Sequence, residues 1–495
     1  MELDWSIDQT GEDQFFLNHN MTTLTTAPAR PSDIDRDAVF NRAYIFTIAL
    51  CAALGGLMFG YDWVVIGGAE LFYEKYFQLT SALQVGWAMS SALIGALVGA
   101  LFAGCLSDKF GRKPLLVISG LLFVMTSIGT GLAPNFVFFV VNRLFGGVAI
   151  GIASNLSPLY IAEVAPASMR GRLVSVNQLT IAIGVMLAQI VNWLIAQPTA
   201  PGMAVDQIPF DSWNVQAAWR WMFGATTVPA AIFFTAMFCV PESPRWLAKK
   251  GRSEKALGVL TKIGGIAYAR RSVQDIEATL VNEIDKVDLR ELLAPRMLKI
   301  LLLGIVLAVF QQWCGINVIF QYGSRIFADA GYAVSGILFS IVITGVVAVL
   351  MTFVAIATVD RWGRRGLMLS GALGLTLIYL ATGWAYHENI KGLVPVILVV
   401  TAIACYCCTL APVTWVILSE IFPNRIRGSA MSVSVVALWL GNFLLSQTFP
   451  VMYQMLGLAQ CFWVYAAICC GGFLFILVRL PETKGRSLEE IERDW

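Results

Sequence analysis

The sequence predicts an all-α membrane protein: twelve transmembrane helices in two pseudo-symmetric six-helix bundles, joined by a cytoplasmic helical linker. Three observations lead there. Hydrophobic side chains make up 57% of the 495 residues and charged ones only 13%, with a mean hydropathy of +0.71, whereas soluble domains are roughly a quarter charged. Apolar stretches long enough to cross a bilayer, which takes about 20 residues, recur twelve times. Two charged loop motifs also reappear at nearly one fixed offset, as expected of a duplicated unit.

The first forty residues carry eight acidic and two basic side chains, with Thr22-Thr23, Thr25-Thr26 and two prolines at Pro28 and Pro31. Residues 1–41 are therefore expected to be a disordered cytoplasmic tail. No apolar core follows a basic start, so this is not a cleaved signal peptide. Apolar stretches then run over 42–67, 84–106, 114–132, 136–162, 172–196 and 218–240, giving a first bundle over 42–242. A second set at 298–326, 333–358, 366–386, 393–421, 428–455 and 459–480 gives a second bundle over 298–480, with a cytoplasmic tail at 481–495. Between them, residues 243–297 form the longest polar stretch. There Val273, Ile276, Leu280, Ile284 and Val287 stand at helical spacing behind a Ser272-x-x-Asp275 capping box, which predicts short amphipathic surface helices.

Basic residues set the orientation, because short cytoplasmic loops are enriched in Lys and Arg. With both termini inside, only Lys75, Arg220, Arg325 and Lys391 fall at outer connections and Arg143 within a span, which leaves 29 of the 34 basic residues on the cytoplasmic side. The expected location is a cell membrane, bacterial inner or eukaryotic plasma.

Several classes drop out. A net charge of +2, spread between membrane segments, offers no nucleic-acid footprint. Cys51, Cys105, Cys239, Cys314, Cys405, Cys407, Cys408, Cys461, Cys469 and Cys470 lie in or beside apolar runs without metal-ligand spacing, so they read as small hydrophobes. The two histidines, His19 and His387, assemble no nucleophile and base. Neither enzyme chemistry, a metal nor an organic cofactor is implied.

The duplicated motifs carry more information. Asp108-Lys-Phe-Gly-Arg-Lys113 recurs as Asp360-Arg-Trp-Gly-Arg-Arg365, and Glu163 with Arg170-Gly171 recurs as Glu420 with Arg427-Gly428, at offsets of 252 and 257 residues. Acids and bases at the ends of neighbouring helices can pair in one conformation and separate in another. Asp108, Arg112, Glu163, Arg170, Asp360, Arg364, Glu420 and Arg427 are thus candidates for a cytoplasmic gate.

Ionisable groups inside a bilayer are costly and point to function. Two lie well within spans, Asp62 and Arg143, and both are expected in the outer third, close enough to be neighbours. An apolar setting favours a protonated carboxyl and a nearby guanidinium favours an ionised one. A carboxyl alternating between those settings can bind and release a proton in each cycle. Amides and aromatics supply a candidate binding surface. Gln178, Gln189 and Asn192 return within about 40° of one helical stripe, and Gln311, Gln312 and Asn317 surround Gly315, where a helix can break. Trp415, Trp439 and Asn442 add groups from the second half.

Five motifs then make a resemblance visible. Asp108 to Lys113, Pro241-Glu-Ser-Pro-Arg245, Gln311-Gln-Trp-Cys-Gly-Ile-Asn317, Leu418-Ser-Glu-Ile-Phe-Pro423 and Pro481-Glu-Thr-Lys-Gly485 occur in the order found in sugar porters of the major facilitator superfamily. The chain from about residue 42 onward resembles that family. The resemblance implies that Gln178, Gln311, Gln312, Asn317, Trp415 and Trp439 line a sugar cavity, with Phe59 and Tyr322 flanking it. Asp62, in Phe59-Gly-Tyr-Asp62, matches the position at which proton-coupled members carry Asp and facilitative ones usually a neutral residue. Val185, Gln321, Ala348, Ala411 and Leu438 depart from residues common in the family, which argues against borrowing any member's sugar preference. The resulting expectation is a proton-coupled pentose or hexose symporter working by alternating access as a monomer, with a monosaccharide, a proton and the lipid bilayer as its partners. The alternatives are a facilitative sugar, polyol or inositol uniporter and, further off, a non-transporting sugar sensor.

Overall fold

Helices α1 (Arg42–Tyr76), α2 (Ala82–Phe110), α3 (Arg112–Gly131), α4 (Phe136–Val164), α5 (Arg170–Ile195) and α6 (Asn214–Cys239) form the first half. Two linker helices follow, α7 (Pro244–Lys249) and α8 (Ser253–Asn282). The second half contains α9 (Pro295–Trp313), α10 (Ile316–Gln321), α11 (Gly323–Asp329), α12 (Val334–Trp362), α13 (Arg364–His387), α14 (Leu393–Cys408), α15 (Leu410–Glu420), α16 (Arg427–Leu456) and α17 (Leu458–Arg479). The computed structural model describes residues 39–199, 207–282, 294–422 and 427–482. Among them twelve helical segments are long and apolar enough to span a bilayer, and no strand occurs.

Side chains start and stop several helices. Asn41 and Asn135 accept the Tyr44 and Phe138 amides at 3.1 and 2.9 Å and so cap α1 and α4. Span 7 breaks at Gly315 (φ 86°), the helix break expected there. Span 10 breaks between α14 and α15 at Thr409.

Two sequence expectations change. The first span continues to Tyr76, because Glu70 and Glu74, polar enough to look like a loop, stay in the helix against a partner in the second half. Asp62 therefore sits near the middle of a 35-residue helix and not near its outer end. In the linker, Ser272 and Asp275 are internal to α8, which kinks at Gly264 and Gly265 (φ 81°) and resumes before them, so they cap nothing. Val273 is buried as expected, while residues 284 and 287 lie outside the described segments. The tail at 1–38 and residues 483–495 lie outside them too.

Packing repeats between the halves as the duplicated sequence demands. In the first half α1 packs on α5, α2 on α4 and α3 on α6; in the second α9 packs on α16, α12 on α14 and α13 on α17. Across the middle, α2 meets α16 and α5 meets α12, which is again one relation repeated. The most extensively packed helix pair, α2 with α4, needs glycine. A Cβ on Gly147 would come within 2.9 Å of the Gly95 Cα, and Gly99 and Gly151 meet backbone one turn further on. Such small residues let helix backbones touch where lipid supplies no hydrophobic drive. Gly147→Val is expected to lower the stability of the purified protein by roughly 1–3 kcal/mol, read as a fall in melting temperature. Gly104→Val, where nothing lies within 4 Å of the new Cβ, should leave the melt within about 0.5 kcal/mol.

The turns at Gly111 and Gly363 share one end of the molecule. Among the described residues, side-chain contacts between the halves lie toward the opposite end: Ser90 donates to Gln447 Oε1 at 2.8 Å, Gln189 to Thr344 Oγ1 at 3.3 Å and Ser324 to the Gly67 carbonyl at 2.6 Å.

Candidate functional site

The two ionisable residues expected to be neighbours form a closed ion pair. Arg143 Nη1, in α4, donates to both Asp62 carboxylate oxygens at 3.0 and 2.9 Å, and its Nη2 reaches the Asp62 carbonyl at 3.4 Å. Asp62 is 5% and Arg143 3% exposed, and the guanidinium lies 5.5 Å from the Phe223 ring centroid. Arg143 Nε has no hydrogen-bond partner. Burying two charges repays its desolvation only while both stay paired, so loss of either charge changes the energy of the whole arrangement.

The span 7 break places three amides in series. Gly315 tolerates the left-handed backbone there, and a Cβ would strike the Tyr465 ring. Beyond it, Asn317 Nδ2 donates to Gln312 Oε1 at 2.5 Å, Gln312 Nε2 to Gln311 Oε1 at 3.1 Å and Gln311 Nε2 to the Ala411 carbonyl at 3.2 Å. Beside this relay aromatic rings join the halves: Phe59 lies 5.9 Å from Trp439 and 6.4 Å from Trp63, which lies 5.5 Å from Phe320. Trp415 is 40% exposed and Gln178 half-buried. Together these groups offer what a polyhydroxylated ring requires, amides that donate and accept and aromatic faces for its apolar side.

Other predicted residues serve helix contacts in this structure. Tyr322 is fully buried, its hydroxyl donates to the Ser446 carbonyl at 2.6 Å and its ring packs on Phe449, so it lines no accessible space. Asn442 accepts from Ser446 Oγ at 3.4 Å. Asn192 donates to the Val65 carbonyl at 2.9 Å, and with Gln189 bound to Thr344 only Gln178 of the periodic stripe remains accessible. Of the departing residues, Gln321 accepts from Ser446 Oγ at 2.5 Å, while Val185, Ala348 and Leu438 are buried.

The duplicated motifs build braces within each half. Arg112 donates to Glu163 through Nε (3.0 Å) and Nη2 (2.9 Å), and through Nη1 to Asp108 Oδ1 at 3.1 Å and the Ser107 carbonyl at 3.2 Å. Lys249 of α7 holds the other Asp108 oxygen at 3.0 Å. In the second half Arg364 donates to Glu420 at 3.1 Å. Arg170 is exposed, and the side chains of Asp360 and Arg427 lie outside the described part. The described pairs thus tie helices of one half together.

Residues that the sequence reading passed over complete these braces. Glu242 accepts the backbone amides of Arg112 and Lys113 at 3.0 and 3.2 Å, and Glu482 those of Arg364 and Arg365 at 3.0 and 3.2 Å. Each carboxylate caps the start of the helix after a positive-φ glycine, Gly111 or Gly363, where it meets unpaired amides and the positive helix end. The matched Pro-Glu pairs after the sixth and twelfth spans were the available signal. Trp63 was also missed; its buried Nε1 has no partner and it adjoins Asp62 in sequence.

Comparison with known proteins shows the family. The sequence profile described as Sugar (and other) transporter matches residues 48–495. The arabinose-proton symporter of Bacillus subtilis (strain 168) is 37% identical over 457 residues, covering 92% of this chain and 96% of that protein. The inward-open xylose transporter of Escherichia coli superposes with a TM-score of 0.80 at 36% identity, over 91% of this chain and 100% of that one. A proton:xylose symporter structure of the major facilitator superfamily with 6-bromo-6-deoxy-D-glucose bound gives 0.75 at 36% identity, over 92% and 100%.

Proposed function

The chain belongs to the sugar transporter family of the major facilitator superfamily, and from that premise we propose that it carries a pentose or hexose together with a proton by alternating access. The buried Asp62–Arg143 pair carries this reading: it is a titratable carboxyl held within the first span beside a fixed cation, in a chain whose relatives include an arabinose-proton symporter and a proton:xylose symporter. Asp62 takes a proton when it leaves Arg143 and loses it when the pair re-forms. Gln178, Gln311, Gln312, Asn317, Trp415, Trp439 and Phe59 hold the sugar, with Trp63 offering an unpaired donor. Asn442 and Tyr322 join that wall only in another state of the cycle.

Both termini and the braces face the cytoplasm, in line with the distribution of Lys and Arg. Contacts between the halves gathered at the opposite end, and the likeness to an inward-open transporter, support an inward-facing state. The domain limits proposed are a first bundle over 42–242, a linker over 243–297 and a second bundle over 298–480, working as a monomer.

Uptake of labelled pentoses, hexoses and polyols into proteoliposomes, with and without an inward proton gradient, tests the reading. Accumulation above equilibrium only with the gradient is expected; an equal plateau in both conditions would overturn symport. Within the site, Gln312→Ala removes both the acceptor for Asn317 and the donor to Gln311. Lost polar partners cost about 1–3 kcal/mol each, so the half-saturating sugar concentration is expected to rise roughly 5- to 150-fold, measured by counterflow without a proton gradient.

A further inference from the structure

Toward the end opposite the braces, the two halves meet over a buried acid–base group that the Asp62 scheme does not use. Arg325 of α11 donates through Nε to Glu70 and through Nη2 to Glu74, each at 2.5 Å, across a sequence separation of 255 and 251 residues. Glu70 is fully buried, and its second oxygen, Oε2, has no hydrogen-bond partner. The helices approach closely here: Ser324 donates to the Gly67 carbonyl at 2.6 Å, and a Cβ on Gly67 would meet the Gln321 and Phe320 carbonyls at 2.7 and 2.8 Å.

Charge counting gives this contact a consequence. Two ionised carboxylates on one guanidinium leave a net negative charge; the Glu74 and Arg325 side chains keep 17% and 18% exposure, but Glu70 has none and its free oxygen has nothing to accept from. Among the described residues, the other titratable groups around this contact bring no second cation to Glu70. Tyr73 of α1 and Tyr322 beside α11 are buried phenols, and beyond Arg325 lies Tyr453 of α16, whose ring centroid is 5.9 Å from the guanidinium. The Tyr453 hydroxyl donates to Asp329 at 2.9 Å, a further acid that burial holds above the ordinary carboxylate range. Lys75 turns to the Ile208 carbonyl. One proton on the carboxylate pair removes the excess charge and gives Glu70 Oε2 a hydrogen; it belongs to the pair and to neither residue alone.

We propose that Glu70, Glu74 and Arg325 form the outer gate of the transport cycle, and that the closed gate holds one proton shared by the two carboxylates. It is taken from the outer solution as α11 closes on α1 and returned there when the gate opens and water reaches both acids. What the gate serves rests on the symporter reading above; the shared proton does not. Unlike the proton of Asp62, this one never crosses the membrane, so it sets how the gate responds to outer pH. The closed state binds the proton and the open state does not, so rising pH favours opening. Between the pH at which the open pair ionises and the higher pH at which the closed pair does, the closed-to-open ratio falls about tenfold per pH unit.

Hydrogen–deuterium exchange of the peptide covering α11, in the purified full-length protein without sugar, tests this across the neutral pH range. After correction for intrinsic exchange, wild-type protection should fall toward that slope. Glu70→Gln and Glu74→Gln each leave one carboxylate for one guanidinium, and both should stay protected with no slope. Asp329→Asn should keep it. Infrared difference spectra should show a protonated-carboxyl band that both Gln variants lose and Asp62→Asn retains. An unchanged slope in both Gln variants, or a band indifferent to them, would overturn the proposal. Neither readout uses sugar or a gradient, so failure of the symporter reading would appear separately, as absence of gradient-driven uptake by the wild type.

Discussion

Asp62→Asn is expected to abolish uphill sugar accumulation while leaving downhill exchange. A membrane potential of 100 mV supplies about 2.3 kcal/mol per charge, so a cycle carrying one proton per sugar can hold roughly a 50-fold gradient. Asn cannot ionise, so the cycle loses its dependence on the gradient and the accumulation ratio should fall to one. Counterflow of the same sugar, which needs no net proton movement, should persist. The amide still accepts from Arg143 Nη1 through one oxygen in place of two, which preserves the helix contact but leaves the guanidinium without a counter-charge. A slower exchange rate is therefore expected beside the lost accumulation. Arg143→Gln should behave differently: it leaves the carboxylate buried and uncompensated and lowers stability by about 3–5 kcal/mol. If Asp62→Asn still accumulated sugar to the wild-type ratio, the proton would have to be carried elsewhere.

The second large effect is expected at the brace. Arg112→Ala removes two hydrogen bonds to Glu163 and one each to Asp108 and the Ser107 carbonyl. The Glu163 side chain is 6% exposed and the Arg112 side chain 8%, so the surviving carboxylate cannot recover its hydration. Loss of about 3–5 kcal/mol is the expected scale, read as a fall in melting temperature. The double variant with Glu163→Ala should be less damaging than the two single losses added, because the second change removes the stranded charge. Arg364→Ala in the second half should cost less. The side chains of Arg364 and Glu420 are 15% and 23% exposed, and water screens what remains. Equal losses at the two sites would show that exposure does not set the strength of the brace.

Much of this architecture was legible in the chain. The apolar runs located all twelve spans to within a few residues at most ends, because span length is imposed by bilayer thickness and apolarity is a local property. The first span was the exception: Glu70, Tyr73, Glu74 and Lys75 look like the start of a loop until Arg325 is placed beside them. Duplication was visible in Asp108 and Asp360, and the contacts between helices repeat it. Gly315 announced its own break, since a glycine between polar residues inside an apolar run has few other uses. Asp62 and Arg143 were identifiable as partners because ionisable groups inside a bilayer are rare enough to seek each other.

The side-chain partnerships were decided elsewhere. Gln178, Gln189 and Asn192 share a stripe, yet only the first stays accessible, since Gln189 is bound to Thr344 of α12 and Asn192 to the Val65 carbonyl of α1. Tyr322 matched a cavity position and is buried against Phe449. Glu242 and Glu482 stood in two of the motifs with no role of their own and cap α3 and α13. The amino-acid sequence by itself determined the class, the spans, the duplication and the pairing of Asp62 with Arg143 inside the spans, because these follow from hydropathy, length and the cost of charge in hydrocarbon. Only the tertiary structure decided which polar side chains face an accessible space, which bind a neighbouring helix and which acids share a base. In a bilayer a lipid-facing and a helix-facing residue can be equally apolar, so periodicity shows a face without showing what lies against it; that comes only from the docking of helices hundreds of residues apart.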